Sequence, residues 1–352
     1  MSTTLKKLTD FAEWNFDDII DVRSPAEFEE DHIPGAINLP VLSNEERVTI
    51  GTIYVQDSTF KAKKIGAAIV ARNAADHIET ALAEKDGAWR PLVHCWRGGQ
   101  RSGSFASILK QIGWRAEVLE GGYKAYRRLV VDFLYNQPLE HRLILIDGNT
   151  GTAKTEILEH LTKAGAQTLD LEALAAHRGS LFGATKGGQP SQKMLESRLA
   201  SALVLLDPSK PTFVEAESNK IGDIFIPSSF WHAMIKAPRV TIEAPSTARS
   251  EFLTQSYADL LEDRELLLER VRSLGDFHSK DQIAEWEAAI AEERFQELAL
   301  SLIEKHYDPR YAKTYQRRER VELGSVNLTS LDSDTLRNVA VPQILALSQA
   351  AG

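Results

Sequence analysis

Short apolar runs alternate with helical patterns in the first third of the chain, and this alternation limits the possible folds more than any other feature. The runs "DIIDVRS", "AINLP", "PLVHC" and "RAEVLEG" have the length and composition of strands, and stretches with helical spacing separate them. Strands that alternate with helices form a mainly parallel sheet covered on both faces. The sequence therefore predicts an α/β domain at the N-terminal end.

A second α/β domain begins after a break at Pro138. The apolar strand "LILI" follows this break, with further strands at "TFVEA" and "RVTIEA", and the pattern becomes strongly helical from about residue 246 to 306. Because single hydrophobic cores stop growing at roughly 250 to 300 residues, we expect a chain of 352 residues to form two domains. We place them at 1–137 and 138–352.

Charge and composition narrow the class of protein. The formal net charge of −9 argues against a surface coated in positive charge for indiscriminate nucleic-acid binding, although it leaves room for a local basic site. No apolar run approaches the roughly 18 to 20 residues that a bilayer span requires, so we expect no membrane partner. The single cysteine permits no internal disulfide, and the N-terminal stretch has acidic residues where a signal peptide has an apolar core. Both observations favour a cytoplasmic protein.

The only cysteine lies in a loop between a predicted strand and a helix that begins near Ser102. Backbone N–H groups and a helix N-terminus at such a junction favour the thiolate form of the sulfur. Two glycines would let the backbone curl with positive φ around an anion, and two arginines would bind the same anion. The alternative is a buried structural thiol. The candidate catalytic residues are Cys95, Arg97, Gly98, Gly99 and Arg101.

A glycine-rich turn follows the strand "LILI" and precedes a helix, which is the setting in which a Gly-x4-Gly-Lys-Thr loop cradles phosphates. The predicted phosphate-binding residues are Gly148, Asn149, Thr150, Gly151, Thr152, Lys154 and Thr155. Ala153 stands where glycine normally precedes the lysine. Its methyl group restricts φ, which argues against hydrolysis of a nucleoside triphosphate more than against phosphate binding. A chance glycine-rich turn is the alternative.

Two carboxylates and a polar loop are candidates for further functional groups beside the phosphate loop. Glu215 and Glu217 are spaced two apart and are therefore expected on one strand face, where either could hold a metal through water or act on a substrate proton. A solvated strand end is the alternative. The glycine-rich segment 177–199 contributes further polar candidates, although each of them taken singly is more typical of a surface position than of a site. These are His177, Arg178, Lys186, Gln192 and Lys193.

The first domain resembles a known family. The segment "DVRSPAEFEEDHIPGAINLP", followed by "HCWRGGQRS" and "LEGGYKAYR", resembles the rhodanese domain, whose cysteine carries a sulfane sulfur as a persulfide. Five residues separate Cys95 from Arg101, which is one more than in usual rhodanese loops and equals the loops of dual-specificity phosphatases. The longer loop makes a wider anion pocket, suited to a phosphate ester or to a chalcogen bulkier than sulfur that is delivered on a phosphate.

The two domains together resemble a single enzyme family. A rhodanese-like domain followed by a P-loop domain, with "DSTFKAKKIGAAIVARN", "HRGSLFGATKGGQPSQKMLE", "VEAESNKIG" and "HYDPRY", is similar to the bacterial tRNA 2-selenouridine synthases over nearly the whole chain. The stretches "CWRGG" and "GQPSQK" are the more specific parts of this resemblance. The phosphate loop is less specific and departs from its own pattern at Ala153.

The resemblance implies a transferase that converts wobble 2-thiouridine in tRNA to 2-selenouridine in two steps. Geranyl diphosphate first alkylates the sulfur, and selenium from selenophosphate then replaces the S-geranyl group. The phosphate loop would cradle the diphosphate with Mg²⁺ as a helper and without a tightly bound cofactor. Cys95 would hold selenium as a perselenide or attack selenophosphate directly. The region "FIPSSFWHAMI" is a candidate for the apolar slot that the geranyl chain needs.

The expected partners are tRNA and small phosphate donors. For the tRNA backbone we expect a confined basic footprint, because the protein is acidic overall. The preferred contacts are Lys313, Arg317, Arg318 and Arg320, and the second choice is Lys61, Lys63 and Lys64. A solvated helix face is the alternative reading of each group.

Three other functions stay open at this point. A cysteine-dependent phosphatase or arsenate-type reductase would need a general acid, and the residues near Cys95 do not clearly supply one. A P-loop kinase of small molecules would use Lys154, although Ala153 argues against it. A non-catalytic tRNA-binding protein would keep all of its function when Cys95 is replaced.

Overall fold

The computed structural model describes residues 2–185, 187–315 and 321–350, with the side chains of all of them except residues 313–315. These residues form two compact units. The first contains the chain up to Gln137 together with Pro190–Leu205, and the second contains Pro138–Gln189 and the chain from Leu206 onward. Each unit has its own five-stranded sheet. The α/β fold class expected from the sequence is confirmed.

The first unit is built on a parallel sheet. Its strands are β1 Ser2–Thr4, β2 Asp18–Asp21, β3 Ile37–Asn38, β4 Pro91–His94 and β5 Glu117–Glu120. They lie in the order β1-β5-β4-β2-β3, and every neighbouring pair is parallel. All four strands expected from the alternation are present, and β1 is an addition at the sheet edge. All residues of β4 are buried, so the strand that leads to Cys95 is fixed in the middle of the sheet.

Helices connect these strands. They are α1 Asp10–Glu13, α2 Pro25–Glu30, α3 Asn44–Gln56, α4 Thr59–Glu79, α5 Gln100–Ile112 and α6 Gly122–Val131, which a π-helical turn continues over Asp132–Asn136. Helices α2 and α3 each begin with a capping box, in which a serine and the glutamate three residues later satisfy each other's backbone N–H groups. The pairs are Ser24 with Glu27 and Ser43 with Glu46.

The second unit has a parallel sheet with the phosphate loop at its centre. Its strands are β6 Arg142–Asp147, β7 Gln167–Leu169, β8 Pro211–Glu215, β9 Lys220–Ile221, β10 Ile224–Phe225, β11 Arg239–Glu243 and β12 Glu322–Asn327. Strands β9 and β10 pair with each other, and the others lie in the order β12-β11-β6-β8-β7. Because β6 is the middle strand, its carboxyl end lies in the crevice where open α/β sheets bind ligands.

Helices dominate the chain after the break at Pro138. They are α7 Lys154–Lys163, α8 Leu171–Ala175, α9 Gln192–Val204, α10 Ser228–Lys236, α11 Ser246–Ser256, α12 Ala258–Leu261, α13 Arg264–Arg272, α14 Lys280–Ala291, α15 Phe295–Leu302, α16 Asp308–Tyr315, α17 Ser333–Thr335 and α18 Val341–Gln349. A 3₁₀ turn at Ser273–Asp276 and π-helical turns at Ile303–Tyr307 and Leu336–Ala340 extend three of them. Within the described ranges, none of the helices is both long enough and apolar enough to cross a membrane.

The expected helical region is confirmed, and it has a core of its own. Trp286 of α14 is 1% exposed and packs in a cluster with Val271 of α13 and Leu298 of α15. This cluster is separate from the one that covers the sheet, where Ile146 and Ile157 meet Phe213. The helices from α12 to α15 therefore form a layer with its own packing within the second unit.

Helix α9 packs in the first unit, although the sequence analysis assigned it to the domain 138–352. Its Glu196 carboxylate accepts hydrogen bonds from Arg127 and, at 2.6 Å, from the hydroxyl of Tyr135. Lys193 pairs with Glu30 at 2.5 Å. These partners stand 61 to 163 positions earlier in the chain, and sequence spacing does not reveal contacts of that range.

Candidate active sites

Cys95 follows directly after β4, and α5 begins at Gln100, before the start at Ser102 that the sequence suggested. The cysteine is buried, with 4% of its surface exposed. Two groups donate hydrogen bonds to its sulfur, namely the backbone N–H of Gly99 and the hydroxyl of Ser102, each 3.3 Å from Sγ. The sequence analysis had marked Ser102 only as the start of a helix.

These contacts and a nearby positive charge lower the pKa of the Cys95 thiol. Burial alone would raise the pKa of the Cys95 thiol, but the hydrogen bonds from Ser102 and the positive charge of Arg101 bring that pKa below its ordinary value. The thiolate is the nucleophilic form of cysteine. The surroundings of the buried sulfur therefore favour its thiolate form relative to an isolated cysteine.

The glycines around the cysteine loop have different roles. Gly98 has φ of +66°, and a Cβ there would lie 2.3 Å from the carbonyl oxygen of Leu119, so only glycine fits. Gly99 has φ of −102° and open space around it, so the expectation of a positive φ is wrong for this residue. Gly122, to which the sequence analysis gave no role, has φ of +56°, and a Cβ there would lie 2.3 Å from the carbonyl oxygen of Cys95. The loop is thus packed against the start of α6.

The two arginines of the loop differ in their contacts. Arg101 donates a hydrogen bond of 2.8 Å to the carboxylate of Glu27, and Arg47 lies 3.7 Å from the same carboxylate. These contacts fix the start of α5 against α2. Arg97 is exposed, and within the described part of the chain its side chain has no hydrogen bond or ion pair. Arg97 is therefore the arginine that the structure leaves accessible to an anion.

The predicted phosphate loop connects β6 to α7. Gly148 and Gly151 have φ of +150° and +83°, and Ala153, directly before α7, has φ of +58°. Alanine adopts the left-handed conformation here, at a cost of about 1–2 kcal/mol. Despite the restriction that its methyl group imposes, Ala153 therefore has a φ in the region that favours glycine.

Lys154 begins α7 and is partly buried. Its Nζ donates a hydrogen bond of 3.0 Å to the carbonyl oxygen of Gly148, which folds the side chain back over the loop. Burial opposes its charge, yet the nearby Tyr311, Glu217 and Glu172 raise the pKa of Lys154 above its ordinary value. The ammonium group is thus held charged beside the loop.

Two carboxylates stand beside Lys154. Burial and the negative charge of Glu217 raise the pKa of Glu172 to about 7, and burial likewise raises the pKa of Glu217. The hydroxyl of Thr155 donates to Glu172 at 3.0 Å. Gly179 covers both carboxylates, since a Cβ there would lie within 2.5 to 2.9 Å of their oxygens. The sequence analysis missed Glu172, for which the available signal was an acidic residue shortly after the end of β7.

Glu215 and Glu217 were expected to share a strand face, but they do not. Strand β8 ends at Glu215, and the N–H of Glu217 donates back to the carbonyl oxygen of Glu215 at 2.9 Å, so the chain turns there. Glu215 is fully buried and accepts a hydrogen bond of 3.1 Å from the N–H of Leu171. Burial and the charge of Asp170 raise its pKa well above the ordinary value. Glu215 thus joins β8 to α8 in surroundings that disfavour its charged form, and Glu217 lines the cavity.

The glycine-rich segment 177–199 divides between the two units. Arg178 lines the cavity of the phosphate loop, donates two hydrogen bonds of 2.9 Å to Asp259 and lies 4.8 Å over the ring of Tyr257. The Nδ1 atom of His177 accepts a hydrogen bond of 3.1 Å from the N–H of Gly179. These residues belong to the second unit.

The remaining candidates of this segment lie elsewhere. Gln192 and Lys193 are in α9, where the amide of Gln192 donates to Glu196 at 3.0 Å and Lys193 binds Glu30. Both therefore belong to the first unit and take part in its contacts. Lys186 lies outside the described residues.

The phosphate loop opens into a cavity of about 620 Å³, a volume typical of small-molecule sites. A smaller apolar pocket of about 60 Å³ adjoins it, with walls that include Phe182, Leu267 and Leu298. Five residues line both spaces, namely Thr150, Ser180, Leu253, Tyr257 and Tyr307. In the segment "FIPSSFWHAMI", which was expected to hold the geranyl chain, Phe230 and Met234 of α10 are buried and Phe225 is exposed, and the segment lines neither of these two spaces.

The basic residues predicted to contact tRNA are only partly described. Lys313 lies in α16, and its side chain is outside the described set, as are Arg317, Arg318 and Arg320 in full; their role stays a prediction. The second choice, Lys61, Lys63 and Lys64, lies exposed on α4. Lys61 pairs with Asp57 at 2.6 Å.

Comparisons with known proteins agree with this arrangement of two sites. The family model for the AAA domain of tRNA 2-selenouridine synthase matches residues 141–278, and that for the rhodanese-like domain matches residues 3–129. The tRNA 2-selenouridine synthase of Nitrosomonas europaea is 30% identical over 346 residues, which cover 85% of this chain and 89% of the relative. That of Aeromonas salmonicida is 32% identical over 358 residues, covering 92% and 95%. The chain belongs to the tRNA 2-selenouridine synthase family.

Membership of the tRNA 2-selenouridine synthase family confirms the resemblance found in the sequence and makes the chain an enzyme. The rhodanese-like match includes the loop of Cys95. The match to the synthase AAA domain includes the phosphate loop together with Glu172 and Glu217. The cysteine loop and the phosphate loop thus each lie in a region that one of the two family models matches.

Proposed function

We propose that this enzyme converts 2-thiouridine in tRNA to 2-selenouridine through an S-geranyl intermediate. Geranyl diphosphate would bind at the phosphate loop, and selenophosphate would react at Cys95. The observation that carries the proposal is the pairing of the phosphate loop with an apolar pocket that shares part of its wall. A prenyl diphosphate has the same two parts, an anionic head and an apolar chain.

The phosphate loop supports the binding of the diphosphate head. Lys154 is held charged, and the backbone amides at the start of α7 point toward an anion at the helix N-terminus. The apolar pocket of about 60 Å³ is too small for ten carbons, so the rest of the chain would extend along Leu253 and Tyr257 into the larger cavity.

In the first step the thiocarbonyl sulfur of the tRNA would attack C1 of geranyl diphosphate. The carbon–oxygen bond breaks, diphosphate leaves with the electron pair, and the base loses its N3 proton. Glu172 and Glu217 are the groups of the cavity that could accept this proton, since the pKa of Glu172 is about 7.

The same carboxylates fit Mg²⁺. Two carboxylates that repel each other beside the Thr155 hydroxyl form the oxygen-rich donor set that this ion prefers. When bound, Mg²⁺ would neutralise negative charge on the diphosphate leaving group. The residues that would hold it are Thr155, Glu172 and Glu217.

In the second step the Cys95 thiolate would attack the phosphorus of selenophosphate. A sulfur–phosphorus bond forms, the phosphorus–selenium bond breaks, and selenide leaves. Selenide then attacks C2 of the modified base and expels geranyl thiolate, while water hydrolyses the phosphocysteine to free cysteine and phosphate. The accessible guanidinium of Arg97 and the wide loop suit a phosphoryl group.

A perselenide on Cys95 is the other route that the sequence left open. Forming a sulfur–selenium bond from selenophosphate would require phosphorus to leave with the electron pair, as phosphite. The two routes therefore differ in their phosphorus product, and phosphorus NMR of the spent reaction separates phosphate from phosphite.

Nucleoside mass spectrometry tests the proposal as a whole. The purified protein is incubated with 2-thiouridine-containing tRNA, geranyl diphosphate and selenophosphate. We expect the S-geranyl nucleoside to appear first and the selenated nucleoside to replace it. Unchanged 2-thiouridine, with folded protein and bound tRNA, would overturn the proposal.

A further inference from the structure

One wall of the phosphate-loop cavity carries an aromatic ring that the proposed chemistry does not use. Phe277 lines the cavity and is 60% exposed, which is unusual for so large an apolar side chain. The guanidinium of Arg310, which also lines the cavity, lies 4.4 Å above the centre of this ring. The pair presents a flat aromatic face beside a cation.

Two histidines support this wall. His306 lines the cavity, and its Nδ1 shares a hydrogen bond of 2.9 Å with Nε2 of His278. The ring of His278 packs at 4.8 Å against the buried Trp286, which fixes the pair in place. Burial and the charge of Arg310 lower the pKa of both imidazoles, that of His306 to about 4. Both rings are therefore neutral near pH 7 and offer hydrogen bonds without charge.

We propose that Phe277 and Arg310 form a stacking site for the target nucleobase of the substrate RNA. Single nucleobases are bound in proteins by stacking on exposed aromatic rings and arginine planes, with the base turned out of its own stack. The inference rests on the proposed function, because it places the reacting base in the cavity that receives the prenyl diphosphate. A cavity of about 620 Å³ can hold a diphosphate and a pyrimidine together.

The chemistry of this wall favours a base over the geranyl chain. A prenyl chain gains nothing from a guanidinium or from paired imidazoles, and the apolar pocket near Leu253 suits it better. A pyrimidine nucleotide offers a π-face to Phe277, carbonyl oxygens to hydrogen-bond donors such as the imidazoles, and a backbone phosphate to Arg310. Phe277 would thus be a positioning residue that acts on the RNA and not on the donor.

Photocrosslinking tests the site without any turnover. An anticodon stem–loop RNA with 5-iodouridine at the wobble position is irradiated with the full-length protein, and the attached residue is identified by mass spectrometry of the digest. We expect Phe277 as the main site. Phe277→Ala should weaken binding of this RNA roughly 5- to 150-fold, the loss expected for one stacked base, and Phe277→Tyr should restore it. The affinity for geranyl diphosphate should stay unchanged in both variants.

Phe225 offers a matched control. It is 53% exposed, and the ammonium of Lys220 lies 5.7 Å from its ring, but it does not line the cavity. Phe225→Ala should leave RNA binding and the crosslink unchanged. Crosslinks away from Phe277, or full RNA affinity in Phe277→Ala, would refute the stacking site even if the wild-type enzyme geranylates tRNA. A crosslink at Phe277 in an enzyme that does not geranylate would refute the proposed chemistry and leave the stacking site standing.

Discussion

The hydroxyl oxygen of Ser102 lies 3.3 Å from the sulfur of Cys95, and both side chains are buried at the start of α5. The hydroxyl is also 3.3 Å from the carbonyl oxygen of Gly99. Because it has a single proton, it can donate to only one of the two at a time. A charged sulfur is the stronger acceptor, so the contact stabilises the thiolate over the thiol.

Replacing Ser102 by alanine should therefore raise the pKa of Cys95. A hydrogen bond to a charged group is worth about 1.5–3 kcal/mol, so alkylation of the thiol by iodoacetamide at pH 7 should slow by roughly tenfold or more. The measurement is the alkylation rate as a function of pH. Ser104, exposed on the same helix, gives the control Ser104→Ala, which should react as the wild type does. An unchanged rate profile in Ser102→Ala would show that the hydroxyl does not act on the sulfur.

Variants of the two proposed sites should lose different steps of the reaction. Cys95→Ala should stop selenation and leave geranylation largely intact, because the cysteine takes part only in the second step. Lys154→Ala should impair geranylation first, since it removes the cation beside the phosphate loop. Nucleoside mass spectrometry reads both products, and circular dichroism verifies the fold of each variant. Loss of both steps in a folded Cys95→Ala protein would contradict this division, and so would normal geranylation by Lys154→Ala.

Replacing either of the two glutamates near the end of β8 by glutamine should have very different effects on the rate of geranylation. Glu217→Gln should lower the rate of geranylation by roughly 100-fold, which is typical when a group that handles a proton is lost. Glu215→Gln should stay within about threefold of the wild type, because burial already disfavours the charged form of Glu215 and the glutamine oxygen can still accept the bond from the Leu171 N–H. Single-turnover rates at pH 7 compare the two. The reverse order of effects would assign the chemistry to Glu215.

The adjacent glycines of the cysteine loop form a third matched pair. Gly98→Ala should destabilise the first unit by more than about 2 kcal/mol, since its Cβ would meet the Leu119 carbonyl at 2.3 Å in a left-handed conformation. Gly99→Ala should change stability by less than about 1 kcal/mol, because the space around it is open. Urea unfolding followed by tryptophan fluorescence compares the two variants, because four of the six tryptophans, Trp14, Trp89, Trp96 and Trp114, belong to this unit. Equal midpoints for the two variants would mean that the loop can shift to accept a side chain at Gly98.

Local pattern was enough to predict seven of the twelve described strands and the two loops that follow β4 and β6. The strand before Cys95 and the strand before Gly148 are short apolar runs, and each precedes a helix with clear periodicity. Such signals depend on residues that are neighbours in sequence. The position of Cys95 directly after a strand and that of Lys154 at the start of a helix follow from these signals.

The partners of these residues could not be predicted, because they come from distant parts of the chain. Glu27 reaches Arg101 across 74 positions, and Glu172 lies beside Glu217 although 45 positions separate the two. Glu172 lies outside the motifs found in the sequence, and the motif that contains Glu27 does not indicate that its partner is Arg101. Sequence spacing also suggested that Glu215 and Glu217 share a face, which holds only while the strand continues, and β8 ends at the first of them.

The chain passes between the two units three times, after Gln137, after Gln189 and after Leu205. Neither half of the gene therefore encodes a complete unit. A protein ending at Gln137 would lose α9 and leave Arg127 and Tyr135 without the carboxylate of Glu196. A second half expressed alone would carry α9 with its apolar residues uncovered. The two units are thus joined in one reading frame by the path of the backbone, and separating them would require rerouting the chain.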